Sequence, residues 1–531
     1  MHREAASDLG PQTSDRSDFR HRLGLALLAL LCSLAPFPLL SCSAKPDPNT
    51  LVMIIDSSPA NLDPRVGIDA QSERIDSLIF DDLLSRGEDL NVAPGLAESW
   101  EIPDPRTYVF HLHRGVRFHD GRPLTSRDVK WTFDSLLRGK IRSTKAAVYK
   151  FVDQIDAPDE ATVIFHMKEQ DSTLLWNLSD GAIGIVPEGS GEEMTRHPIG
   201  SGPFRFVSAE TDREVVVERN EDYWGEKANL ARVRFAVVPE ATTQALELRK
   251  GSADVVINAM FPPDTTITLQ RDPNLVVERG TGTRLAYLGF NVRDPILKDA
   301  RVRQAIAYAL DRQPMIDYLW RGQAQRARSI LPTQSWAYDG SVPAYDHDLD
   351  KANRLLDAAG YPMVNGVRFH ITMKTSTDEN TRLMVAVMQQ QLRAAGIALD
   401  IRSFEFATFF SDVQHGAFQM YGLRWIGGNE DPDIFEYAFD STKFPPNGAN
   451  RGYYSNPKLD ALIDRARREI DPRLRKPLYA EVQRILAEDV PSINLWYLDN
   501  VLVHTRRVRN LKLNPAGNYD FLRNAELDSQ H

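Results

Sequence analysis

Apolar and polar positions along the chain predict a succession of strands and capped helices. Leu51-Val52-Met53-Ile54-Ile55 is a continuous apolar run stopped by Asp56-Ser57-Ser58-Pro59, as expected of a buried strand closed by a turn. Residues 106–119 alternate apolar and polar side chains, the pattern of a half-exposed antiparallel strand and its neighbour. Ser126-Arg127-Asp128 then leads into a helix with Val129, Phe133, Leu136 and Leu137 on one stripe. The strand pattern returns at 160–168 and 213–219. From about residue 230 strand and helix alternate: strand 233–238, helix 241–248, strand 253–257, and later strand 367–374, helix 379–395 and strands 397–402 and 418–423. Between these two α/β blocks, one helix begins near Asp299, and Asp348 caps another that ends at Gly360. Leu459, Leu462, Ile463 and Ala466 mark a further amphipathic helix, and Ile493-Asn494-Leu495-Trp496 a returning strand.

With 531 residues the chain exceeds one hydrophobic core and has room for about three domains or lobes. A 42% hydrophobic and 26% charged composition is that of a globular protein. The net charge of -10, with no Lys/Arg-rich run, leaves no electrostatic footprint for nucleic acid.

The N-terminal stretch changes the picture. Arg20-His21-Arg22 precedes an apolar run from Leu23 to Ala35, then Pro36, Pro38 and Leu39-Leu40-Ser41-Cys42. This resembles a bacterial lipoprotein signal covering residues 1–41, with Cys42 as the lipidated first residue of the mature chain. The alternative is an uncleaved anchor, which the two prolines disfavour; either way the body faces outward. The other cysteine, Cys32, lies in the leader, so a mature chain has neither a disulfide nor a thiolate metal site. Residues 42–50 read as a polar tether.

Motifs spread along residues 51–525 resemble the family 5 bacterial extracellular solute-binding proteins, receptors for oligopeptides, dipeptides and nickel. They are Leu62-Asp63-Pro64, residues 93–100 ending in Glu98-Ser99-Trp100, Arg114-Gly115-Val116-Arg117-Phe118-His119-Asp120-Gly121, and Ile199-Gly200-Ser201-Gly202-Pro203-Phe204. Asn220-Glu221-Asp222-Tyr223-Trp224, Asn291 with Val302-Arg303-Gln304-Ala305-Ile306, and Ala358-Ala359-Gly360-Tyr361-Pro362 follow. The resemblance implies an α/β type II periplasmic-binding-protein fold: two α/β lobes joined by hinge strands, plus an inserted third lobe. Lobe I would comprise residues 43–83, 197–285 and 493–531, the inserted lobe II residues 84–196, and lobe III residues 286–492.

Ligand capture between lobes needs a hinge and polar groups that satisfy the ligand once water leaves. Ser57 and Ser58 follow the first strand and either contact ligand or turn the chain. Tyr287 and Asn291, near the expected crossover, either contact ligand or order the hinge. Trp425, Gly428, Asn429, Glu430 and Asp431 form the richest candidate stretch: glycines admit close backbone approach and Trp425 offers a flat wall. Peptide-binding members of the family resembled carry an aspartate for the peptide ammonium where this chain has Gly428, so Glu430 or another carboxylate must substitute, or the ligand lacks a free amine there. Asp431-Pro432 is also an ordinary turn former.

His111, His113 and His119 share a strand pattern, but no metal is expected there. Gly280-Thr281-Gly282 lacks the third glycine of a dinucleotide fingerprint and reads as a loop. Signatures of serine, zinc, P-loop and cysteine catalysis are missing from the sequence, so no catalytic residue and no cofactor is expected. The expectation is a monomeric, lipid-anchored extracytoplasmic receptor that delivers peptides to an ABC permease and its ATPase subunits. Alternatives are a non-peptide solute such as a nickel chelate, opine or glycan, a transporter-independent sensor or folding helper, and a hydrolase.

Overall fold

The computed structural model describes residues 47–531 apart from 88–89, 180–182, 259–260, 428–429 and 529–531. The leader, Cys42, Gly428 and Asn429 thus lie outside the described residues. Among those described, no helix is long and apolar enough to cross a membrane.

One mixed sheet runs through most of the chain and has two halves. In the first, the apolar run forms the strand Thr50–Ile55, parallel to Arg232–Val237 on one side and Val255–Ile257 on the other. A parallel strand covered on both faces must be apolar at every position. Leu51, Met53 and Ile55 accordingly enter one core cluster, and Val52 and Ile54 the cluster on the opposite face. The hairpin Phe204–Glu210 and Glu214–Arg219 finishes this edge. In the second half, Phe369–Ser376 lies between Ile397–Phe404 and Met420–Trp425, all parallel. Here too cores form on both faces, one around Leu288, Val302, Ile306 and Trp496, the other around Leu285, Phe409, Ile463 and Tyr479.

Two long antiparallel strands, Leu275–Phe290 and Ser492–Thr505, belong to both halves. Residues 275–281 pair with 499–505 beside Val255–Ile257, while 285–289 pair with 492–497 beside Met420–Trp425. Between Thr281 and Leu285 the register slips. Gly282 occupies the slip: a Cβ there would sit 2.4 Å from the Leu498 carbonyl oxygen. Gly280-Thr281-Gly282, which the sequence suggests is a loop, is therefore strand. Its missing side chains admit the neighbouring backbone at an irregular crossing.

A separate four-stranded antiparallel sheet, in the order Ala97–Asp104, Thr107–Leu112, Thr162–Met167, Val152–Asp159, carries the helix Ser126–Leu137. The helix starts where Asp128 Oδ2 accepts from the Thr125 N–H at 2.7 Å, and its Phe133 meets Phe165 edge-on at 5.3 Å. The alternation over 106–119 yields only one strand. It ends at Leu112, Gly115 turns at φ 83°, and Val116 and Phe118 are buried from a loop.

The motifs shared with the family meet in a few buried junctions. Asp81 accepts from Ser201 Oγ (2.9 Å), Tyr223 OH (2.9 Å) and Trp224 Nε1 (2.8 Å). Arg303 donates to the carbonyls of Leu297 (2.7 Å), Lys298 (2.9 Å), Asp489 (3.0 Å) and Val490 (2.9 Å), closing helix and loop ends that lack other partners.

The crossing tolerates no side chain at its slip. Gly282→Val is expected to lower stability by about 2–3 kcal/mol through overpacking. Urea unfolding measures this, and an unchanged midpoint would contradict the close approach described.

Candidate functional site

The register of the two long strands decides where the open strand ends point. Ile257 pairs with Leu502, three residues from the slip, and Thr50–Ile55 runs parallel to Val255–Ile257. In the other half, Trp425 pairs with Leu285, directly beside the slip. Both halves therefore aim the carboxyl ends of their parallel strands at the crossing, the place where open α/β sheets bind ligands.

From the first half, Asp56-Ser57-Ser58 reaches this place. Gln71 Nε2 donates to Asp56 Oδ1 at 2.7 Å and Ser57 Oγ to the same oxygen at 3.3 Å. Ser58 Oγ accepts from the Asp212 N–H at 2.7 Å, committing it to the outer hairpin, while Ser57 stays exposed.

From the second half come Trp425 and the loop after it. Trp425 stacks on Tyr287 with ring centres 5.8 Å apart and planes 17° from parallel, and the Arg451 guanidinium lies 5.4 Å over the indole. Arg451 Nη1 also donates to Tyr287 OH at 3.4 Å. A small cavity of about 30 Å³ is lined by this wall, and another of about 40 Å³ lies near it, sharing Ile330, Phe439 and Asn494. Each has room for a water or two.

Beyond Trp425, Asp431 Oδ1 accepts from the Asp433 N–H at 2.7 Å, an Asx turn that launches the helix Ile434–Phe439, and Asp433 pairs with Arg467. Glu430 differs. Its side chain is only 6% exposed, yet it forms no hydrogen bond or ion pair with any described residue. Asn291 is fully used: Nδ2 donates to the Gly416 (3.3 Å) and Phe418 (3.1 Å) carbonyls and Oδ1 accepts from Arg293 N–H at 3.2 Å. The structure thus brings Tyr287 and Trp425 together, places Glu430 and Asp431 in the loop that follows, puts Ser57 and Ser58 at the opposing strand end, and holds Asn291 in the wall.

Three arginines went unnoticed in the sequence. Arg284 stands on the crossing strand itself, Arg424 on the last strand of the second half, and Arg74 on the helix Ala70–Ile79 of the first. Each lies in an unremarkable polar stretch, and only folding relates them.

The histidines have other partners. His113 approaches Glu98 at 3.4 Å and rests on Trp224, and His111 approaches Glu101 at 3.7 Å. His119 is hydrogen-bonded to the Gly202 carbonyl at 3.0 Å, and burial lowers its pKa. Among the described residues no group of His, Cys, Asp and Glu could hold a metal ion. The segment after the strand Thr162–Met167 touches the second half close to Asp433: Ser172 donates to the Arg467 carbonyl through both N–H (3.2 Å) and Oγ (2.6 Å).

Burial pushes the Asp431 carboxyl up to about 7, against the pull of Arg475. An unfolded aspartate titrates near 3.9. A raised folded value contributes stability that is complete below about 4 and lost as the pH rises through about 7. Asp499, raised to about 6 by burial, acts in the same direction. Stability should therefore fall from pH 4 to 7, and Asp431→Asn, which keeps the acceptor oxygen, should flatten part of that slope in urea midpoints measured across the range. Identical slopes would contradict the raised value.

Comparison with known proteins agrees with this architecture. The model of bacterial extracellular solute-binding proteins, family 5 Middle, matches residues 91–446. Di/tripeptide-binding protein 1 of Pseudomonas aeruginosa (strain UCBPP-PA14) is 27% identical over 526 residues, covering 92% of this chain and 96% of that protein. The structure of HbpA2 from Haemophilus parasuis matches with a TM-score of 0.80 and 26% identity over 90% of this chain and 100% of that one. DppA from Helicobacter pylori, a periplasmic binding protein in complex with the peptide STSA, matches with a TM-score of 0.70 and 26% identity over 90% and 98% of the two chains. The α/β architecture is the type II periplasmic-binding-protein fold. The crossing strands, the opposed strand ends and a model match over two thirds of the sequence lead to one conclusion: the chain belongs to the family 5 bacterial extracellular solute-binding proteins.

Proposed function

We propose that this chain is the extracytoplasmic substrate-binding component of an ABC importer. It captures di- or oligopeptides by closure of two lobes and passes them to a permease driven by cytoplasmic ATPases. The observation that carries the reading is the meeting of two sets of strand ends at one crossing, with Ser57 on one side and Trp425 and Glu430 on the other. Lobe I takes residues 43–83, 197–285 and 493–531, lobe III residues 286–492, and residues 84–196 form the inserted lobe. A lipid on Cys42 tethers the monomer to the membrane. The bound solute leaves unchanged, so the protein is a carrier and not an enzyme.

Gly428 removes the carboxylate that the family resemblance assigns to the peptide ammonium. Two residues on, the enclosed Glu430, which has no partner among the described residues, supplies one. A buried carboxylate without a counter-charge is costly, and a ligand ammonium relieves that cost.

A ligand of the native state raises the melting temperature. A di- and tripeptide library should raise it in the purified protein. If nickel chelates, opines or glycans did so and no peptide did, the peptide reading would fall. Glu430→Gln should weaken peptides with a free amine about 10–100-fold by calorimetry and leave N-acetylated peptides unchanged. Equal weakening of both would remove Glu430 from amine recognition.

A further inference from the structure

The inserted lobe carries a groove of about 490 Å³, within the size range of small-molecule sites. It is lined by the end of the helix Ser126–Leu137, the turn Thr144–Tyr149 and the strand Val152–Asp159, and by no residue of the crossing strands. Arg138, Lys150 and Lys168 line it and are exposed. Two carboxylates line it as well: Asp134 is paired with Lys130 at 2.9 Å and Arg138 at 3.3 Å, and Asp153 is exposed. Neither Lys150 nor Lys168 forms an ion pair with a described residue. Lys168 Nζ donates to the Lys150 carbonyl at 2.8 Å, and Lys150 Nζ lies 4.7 Å over the Phe151 ring.

The surroundings have the same sign. Residues 135–152 hold Arg138, Lys140, Arg142, Lys145 and Lys150, spaced too widely to read as a basic run, and no acid, in a chain whose net charge is -10. Of these only Lys145 is buried, 3.7 Å from Glu73, while Arg142 is exposed with no ion pair among the described residues. Amid these cations Val148 is 49% exposed, next to the exposed Ala147 that lines the groove.

Exposed cations without carboxylate partners set up a field that attracts an anionic partner. An apolar tip among them suits a bilayer interface, where phosphates meet the cations and the acyl boundary takes the apolar side chain. A free anion would use the cations and leave Val148 in water. Such a surface is close at hand, because residues 43–50 reach at most about 29 Å when fully extended from the lipid proposed on Cys42.

We propose that the groove and its basic rim dock on the anionic headgroups of a phospholipid bilayer, with Val148 at the interface. The docking rests on the anchor proposed above only for proximity. The cations supply the attraction, the groove admits a headgroup beside Lys150 and Lys168, and the inserted lobe is held against the membrane.

Flotation of the full chain carrying Cys42→Ser tests this, since a failed anchor cannot then pass for failed docking. Vesicles of phosphatidylglycerol and phosphatidylcholine in equal parts should retain the protein, and vesicles of phosphatidylcholine alone should retain far less. Each cation near an anionic surface strengthens binding about five-fold, so Lys150→Gln with Lys168→Gln should weaken retention on the mixed vesicles about 25-fold, and Lys150→Glu with Lys168→Glu further. Val148→Ser should weaken it several-fold at unchanged charge. All three positions are exposed, so melting temperatures should not move. Equal retention on both kinds of vesicle, or retention that neither double variant lowers, would overturn the proposal. A loss with the lysine variants but none with Val148→Ser would mark a site for a free anion and overturn docking on a bilayer.

Discussion

Everything at the site depends on two strands having to satisfy the backbone of two half-sheets at once. Each buried N–H and C=O needs a partner. In the first half the inner partners come from residues 499–505, and in the second from residues 285–290. Neither half closes its ladder without the shared pair, and the pair meets both demands by slipping register between Thr281 and Leu285. A ladder resists bending except where its hydrogen bonds skip. At the slip, Gly282 lets the strands cross without a clash. The parallel strands of both halves end near this slip, at Ile257 and Trp425, and the loops that follow them gather there.

Much of this was legible in the sequence where burial is one-sided or local chemistry is strong. The run 51–55, the strands near 233, 369, 397 and 420, and the helices capped by Asp299 and Asp348 all have periodicities or caps that tertiary structure does not override. The crossing strands were not. Residues 278–284 alternate charges, threonines and glycines because that stretch spans an irregular junction, and a hydrophobic period cannot mark it. The helix Pro472–Asp489 was hidden by prolines at positions 472 and 477. At the site, Trp425 stood out as an aromatic beside glycines, and Tyr287 by its place near the expected crossover. The three arginines come from segments far apart in sequence, and no local pattern relates them.

The residues that make the family recognisable are mostly structural. Ser201, Tyr223 and Trp224 converge on Asp81, His119 ties to the Gly202 carbonyl, and Arg303 closes chain ends around Val490. Such junctions hold segments of the fold in place and carry no information about the ligand. Trp425 and Glu430, the side chains proposed here to meet a ligand, end and follow the strand Met420–Trp425 and lie outside those junctions. Recognition of the family and identification of the solute are therefore separate inferences that draw on different residues.

One carbonyl, that of Arg467, takes both bonds from Ser172. That carbonyl lies at the open C-terminal end of the helix Pro457–Arg468, where water can replace both donors as soon as the surfaces part. Each such bond has a net worth of only about 1 kcal/mol. The segment that carries Ser172 is therefore joined to this helix through groups that water satisfies almost as well, so the contact specifies a geometry at little cost in free energy.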